Sequence, residues 1–304
     1  MEKQHIDIYQ VVTDRIVTLL EQGVIPWKKP WTGGEPPQNL LTQKPYRGIN
    51  TLLLNSLHFK QNYFLTFEQV KAIGGSVKKG EKSQMIVFWK RLPSRDAGKT
   101  EEEKKEQKML LRYYHVFNIA QCTGIPEKLI PQPPVRTHHD PIAACDALIE
   151  GMPNKPYFQY LENEAYYLPK QDILNMPEYE YFAEPKEYYG ILFHELIHST
   201  GHSSRLNRKE LAEMAPFGSQ NYSTEELIAE IGACYLQTFT DIVVDDFANN
   251  AAYIQGWLAK FKNDKRVILY ASSQAQKATD YILNIQYEHT EEHETVKQPE
   301  PQMA

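Results

Sequence analysis

Residues 190–202 read Gly-Ile-Leu-Phe-His-Glu-Leu-Ile-His-Ser-Thr-Gly-His. Within them His194-Glu195-Leu196-Ile197-His198 has the form HExxH. On a helix, positions i and i+4 share a face, so both imidazoles reach one metal ion. Zinc accepts neutral imidazole nitrogen and leaves a position open for water. Glu195, beside the first histidine, is placed to take a proton from that water. Ile191, Leu192, Leu196 and Ile197 are apolar, so the polar residues sit in an otherwise buried segment. Burying them without a partner is costly.

Five residues alone are a moderately specific signal. A second carboxylate-bearing helix downstream strengthens it. Residues 222–233 read Tyr-Ser-Thr-Glu-Glu-Leu-Ile-Ala-Glu-Ile-Gly-Ala. Glu226 and Glu230 again stand at i and i+4. Zinc needs a third protein ligand, and Glu226 is the favoured one. Glu230, one turn on, is expected to accept the outer N–H of a ligand histidine and fix its tautomer. The alternative is that Ser223 and Glu226 form a capping box, with Glu230 as the ligand. A third histidine at position 204 would complete a longer zinc motif, but Ser204 stands there. His202 is two residues short of it. It is read as a surface histidine, with a place beside the metal or facing substrate as its other reading. His202 and Tyr222 are the candidate second donors to an oxyanion. One Zn²⁺ per chain is expected, and manganese or nickel could occupy the same ligands.

The 304 residues are 41% hydrophobic and 24% charged. That is enough apolar mass for real cores and against wholesale disorder. No stretch approaches the ~20 apolar residues of a membrane span. The first residues, Met1 to Asp7, lack a secretory signal pattern. Cys122, Cys145 and Cys234 are odd in number and far apart, which excludes a disulfide scaffold and fits a reducing cytoplasm.

Charge is uneven. Residues 1–130 hold 20 Lys and Arg against 13 Asp and Glu, whereas the whole chain is at −6. A basic first half suits a polyanion. An amphipathic helix is expected over 7–22, a short helix over 50–57, and a capped helix starting at Thr66. Strands are expected over 85–89 and 110–117, joined by a long charged loop. Pro131 to Asp140 reads as a linker. Beyond it come a helix over 141–150, strand-like segments within 157–168, helices near 185–200 and 224–240, and two more over 251–261 and 273–285. The fold class is therefore α+β in two domains, 1–130 and 141–287. A linker at 131–140 joins them, and a disordered tail at 288–304 follows.

With these motifs in hand, the chain resembles the ArdC-type antirestriction proteins of mobile genetic elements. In the first domain the resemblance rests on Pro26-Trp27-Lys28-Lys29-Pro30-Trp31, Pro45 to Asn50, Thr66 to Gln69 and Gly74 to Lys82. In the second it rests on His194 to Arg205 and Glu225 to Ala233. It implies a small N-terminal α/β domain that binds single-stranded DNA. It also implies a mostly helical zincin-like metallopeptidase domain with a small sheet. The first domain is similar to one found on plasmid-encoded primases. The residues support the DNA reading independently. A single-strand groove combines cations for phosphates with aromatic faces for bases. Trp27, Lys28, Lys29 and Trp31 interleave both, Tyr46 and Arg47 repeat the pairing, and Lys78, Lys79 and Lys82 surround Gly80. The opposing reading makes Trp27 and Trp31 core aromatics and the lysines a solvated face. Three functions follow: a DNA-binding peptidase acting on an unidentified protein substrate, a non-enzymatic DNA shield in which the metal is structural, or a piece of replication machinery. The last lacks any phosphate loop or paired Asp motif.

Overall fold

A computed structural model describes residues 6–28, 36–91, 109–131, 140–212, 220–242, 244 and 251–286. The expected 92–108 loop, most of the 131–140 linker and the tail lie outside these residues.

The first half opens with α1, Ile8–Glu21, whose Asp7 side chain caps the amide of Gln10. Its buried stripe is Val12, Ile16 and Leu20, the i, i+4 spacing that gives one face to a core. After α2 (Ile49–Asn55) comes α3 (Phe67–Ala72), which starts with the reciprocal capping box of Thr66 and Gln69. A four-stranded sheet, in order β1-β2-β5-β4, is built from Gln38–Asn39, Tyr63–Leu65, Met109–Asn118 and Gln84–Arg91. Its long antiparallel pair runs in register from Gln84 opposite Val116 to Arg91 opposite Met109. Ile86 and Val87 are neighbours in sequence and both buried, yet they belong to different apolar clusters. Both faces of this sheet are therefore covered, as an α+β fold requires. A two-stranded ribbon pairs β3 (Ser76–Val77) with β6 (Cys122–Thr123).

The second half begins with α4, Pro141–Gly151, capped by Asp140. A three-stranded sheet, in order β7-β9-β8, follows from Tyr157–Gln159, Ile173–Asn175 and Tyr166–Leu168. The chain then enters α5 (Pro185–Ser199), the short α6 (Lys209–Ala212), the long α7 (Gln220–Thr240), α8 (Ala251–Asn263) and α9 (Val267–Ile282). Several elements differ from expectation, among them β1, β2, β3, β6 and α6, none of which the sequence announced. The strand Ile173–Asn175 was not foreseen, and α9 starts at Val267 rather than near Ser273. Val267 to Leu269 looks strand-like by composition. Its burial at Ile268, Ala271, Ala275, Ala278 and Ile282 follows helical spacing instead.

The two halves share one core. Val12, Ile16, Trp27, Leu52 and Val87 fall in the same apolar cluster as Phe193, Leu196, Ile228 and Phe261. Polar ties reinforce the joint. Arg47 pairs with Asp280 of α9, Gly48 N–H donates to Gln276 at 3.0 Å, and Tyr235 O–H donates to the Gly48 carbonyl at 2.8 Å. The three cysteines are buried and unpaired with one another. No helix among the described residues is long and apolar enough to cross a membrane.

Lys260 on α8 donates to Ser223 and, at 3.0 Å, to Thr224, both on α7. Burial pushes its ammonium down from 10.5 to about 8. Between those pH values the unfolded chain carries more protons on this group than the folded one. Stability is therefore expected to rise with pH across that window. Urea unfolding of wild type and Lys260→Met at pH 7.5 and 10 should show a gain in wild type that the variant lacks. An equal pH response in both would refute it.

Candidate metal centre

Helices α5 and α7 pack against each other with almost nothing between them at Gly232. A Cβ there would lie 2.6 Å from Cδ1 and 2.8 Å from Cγ1 of the fully buried Ile197. This close approach brings the His194–His198 face of α5 onto the Glu226 face of α7. The two Nε2 atoms lie 3.1 Å apart. Glu226 carboxylate oxygens are 3.4 Å from His194 Nε2 and 3.5 Å from His198 Nε2. A cation with bonds of ~2.0–2.1 Å to three corners of a tetrahedron spaces those corners by about 3.4 Å. The donor triangle thus has the size and the nitrogen–oxygen composition that a zinc-type ion needs. These three residues form a group with ligand atoms all within 4.8 Å of one another. Glu195 is half-buried, and its charge is felt at His198.

The support behind His198 is not the one expected. Its Nδ1 faces Glu225 Oε1 at 3.2 Å, so Glu225, not Glu230, is the carboxylate against this ring, whose Nε2 faces His194 and Glu226. Arg208 in turn holds Glu225 through Nε (3.0 Å) and Nη2 (2.5 Å). The same guanidinium reaches Thr200 Oγ1 at 2.5 Å and the Ile197 carbonyl at 2.8 Å. Burial works to raise the Glu225 carboxyl, but the Arg208 charge and the hydrogen bonds from His198 and Arg208 outweigh it and hold it low. At His198, burial opposes charge, yet Glu225, Glu195 and Glu226 together raise the imidazolium's pKa.

Glu230 has another role. Trp27 Nε1–H donates to its Oε2 at 2.9 Å and also meets Tyr253 Oη at 3.0 Å. Tyr253 O–H also donates to Glu230. Burial raises the Glu230 carboxyl against the pull of Tyr253, His194 and Trp27. The capping-box alternative for Glu226 fails because α7 already begins at Gln220, which puts Ser223 to Glu226 inside the helix. His202 turns away from the centre. Its Nδ1 lies 2.8 Å from Ser204 Oγ and 3.9 Å from Asp172. The Tyr222 side chain lies outside the described residues.

The expected DNA-contacting residues divide. Trp27 is only 3% exposed and meets Trp257 and Phe261 edge-on at 6.0 Å. Tyr46 is buried with its ring 6.1 Å from Phe64. Neither offers a face to a base. Arg47 is engaged by Asp280, and Lys28 lies 5.8 Å from the Tyr253 ring. Lys29 and Trp31 lie outside the described residues. Lys78, Lys79 and Lys82 are exposed around Gly80, whose φ of +89° makes the tight turn. Sequence reasoning passed over exposed Phe67, which has Lys71 Nζ 4.6 Å from its ring. Only an aromatic following a cap residue marked it.

Fold and site together define a zincin-like domain with a candidate metal centre behind an N-terminal α/β domain. The zincin-like metallopeptidase family profile matches residues 144–274, and that of the N-terminal domain of the anti-restriction factor ArdC matches residues 6–117. The crystal structure of the antirestriction ArdC protein from the R388 plasmid, metal-free, superimposes with a TM-score of 0.71 at 36% identity, over 91% of this chain and 97% of that one. Its Mn(II)-bound form gives 0.71 at 37% identity, over 92% and 98%. An uncharacterized Sinorhizobium fredii (strain NBRC 101917 / NGR234) protein, y4eC, is 30% identical over 91% of each chain. The Escherichia coli DNA primase TraC is 31% identical over 93% of this chain, but the match spans only 20% of the primase. The chain belongs to the ArdC-type antirestriction family.

Proposed function

We propose that this chain binds single-stranded DNA through its N-terminal half and carries a divalent-cation-dependent peptidase centre in its C-terminal half. The observation that carries the peptidase reading is the donor triangle of His194, His198 and Glu226, with its 3.1–3.5 Å edges. Zn²⁺ is the favoured occupant, and Mn(II), which the R388 relative binds, is also compatible with imidazole and carboxylate donors. Three protein ligands with a carboxylate alongside suit chemistry better than a structural staple, which usually has four. The cation, when bound, lowers the pKa of water and polarises a carbonyl. Glu195 takes the proton of the attacking water and delivers it to the leaving amine. Glu225 and Arg208 keep His198 in one tautomer. For DNA, the exposed Lys78, Lys79 and Lys82 supply phosphate contacts, and Phe67 supplies a stacking face. A cytoplasmic setting suits both partners and three cysteines that form no disulfide with one another.

Glu195→Gln is expected to retain the cation and to lose at least ~100-fold in cleavage of an unstructured test protein. Cleavage at the wild-type rate would refute the role of Glu195. Protection of DNA from a restriction endonuclease, assayed with the same variant, separates peptidase action from DNA coating. Protection that survives the substitution assigns it to coating.

A further inference from the structure

Ahead of its histidines, α5 carries Tyr188 and Tyr189. With Asp146 and Glu150 of α4, and with Tyr160 and Tyr179, they line an open cavity of about 610 Å³. Tyr160 and Tyr179, 49% and 40% exposed, offer ring faces to the cavity, whereas Tyr188 and Tyr189 are buried and back them. Tyr179 and Tyr188 meet edge-to-face at 5.0 Å, and Tyr188 and Tyr189 at 5.2 Å. The two carboxylates are not equivalent. Glu150 is paired with Lys155 at 2.8 Å. Asp146 accepts a hydrogen bond from the Tyr189 phenol at 2.6 Å and has no ion pair among the described residues.

The surround has the same character. Among the described residues, five of the twelve exposed large hydrophobic side chains lie within 157–181, Tyr157 and Leu161 among them. Residues 157–189 hold seven Asp and Glu against two Lys. Exposed Glu162, Glu164, Glu178 and Glu180 are interspersed with the aromatics. Aromatic walls with one carboxylate lacking a cation select a cation, and a planar guanidinium satisfies both at once by stacking and by forked donation. A field this acidic repels nucleic acid and attracts a basic chain.

We propose that this cavity is a docking site for an arginine side chain on an extended basic polypeptide, separate from the cation centre. Full-length protein stripped of metal by a chelator should be titrated calorimetrically with acetyl-Gly-Gly-Arg-Gly-Gly-amide and with its citrulline twin, which has the same shape and no charge. The arginine peptide is expected to bind at least about tenfold more tightly. Asp146→Asn and Tyr160→Ala should each weaken it by about three- to tenfold. Tyr160 is half exposed, so its variant tests the site even if loss of the Asp146 charge disturbs α4. Equal binding of the two peptides, no binding, or binding indifferent to both substitutions overturns the proposal. No cation or cleavage enters this titration, so a failed peptidase assay would leave its result standing.

Discussion

Replacing Arg208 by methionine is expected to destabilise the fold by about 3–5 kcal/mol, the usual cost of leaving one partner of a buried ion pair uncompensated. The side chains of Arg208 and Glu225 are 2% and 5% exposed. Water therefore cannot replace what the guanidinium gives. The variant leaves the Glu225 carboxylate buried with His198 as its one remaining donor among the described residues, and it removes one hydrogen bond each from Thr200 Oγ1 and the Ile197 carbonyl, which stay bonded to each other. Methionine fills much of the space, so the loss is chiefly electrostatic. Cation affinity should fall too, by about 10- to 100-fold, because Glu225 orients the His198 ring. Urea unfolding reads the first effect and Mn(II) titration of the folded protein reads the second. Adding Glu225→Gln should recover part of the stability by removing the stranded charge, but not the affinity. Wild-type stability in the single variant would refute the network.

This support could not be read from the sequence, although the donors it serves could. His194, His198 and Glu226 are spaced by helical periodicity, and periodicity is local information. Glu230 obeyed the same i, i+4 rule and was assigned to a histidine. What decided between Glu225 and Glu230 was the rotation of α7 against α5, set by the contact of Gly232 with Ile197. That is tertiary information. Arg208 gave no signal beyond being an unexplained cation ten residues after His198. Helices with a cap or a clear apolar stripe, such as α1 and α3, stood close to their expected limits. The start of α9 did not, because Val267 to Leu269 is apolar without alternation and its periodicity emerges only from burial. That the chain holds two domains was also legible, through the uneven charge. Their common core was not, because an apolar residue does not announce which half it will face.

Trp27 is where that common core can be tested most directly. Trp27→Ala is expected to cost about 3–5 kcal/mol, as for other buried large-to-small changes. The ring packs edge-on against the stacked pair of Trp257 and Phe261, and its N–H is one of the donors holding Glu230. The alanine variant therefore loosens α8 against α7, although residue 27 belongs to the other half of the sequence. Trp27→Phe keeps most of the apolar contact and loses the donor, so it should cost less, about 1–3 kcal/mol. Single-stranded DNA binding separates this role from base stacking. Measured where the variant remains folded, affinity should stay within about twofold of wild type, since a ring 3% exposed has no face to offer. Lys79→Ala should instead weaken binding and flatten its salt dependence by about one phosphate contact. A stable Trp27→Ala protein that binds DNA about tenfold more weakly would reverse the assignment and restore Trp27 to a base-stacking role.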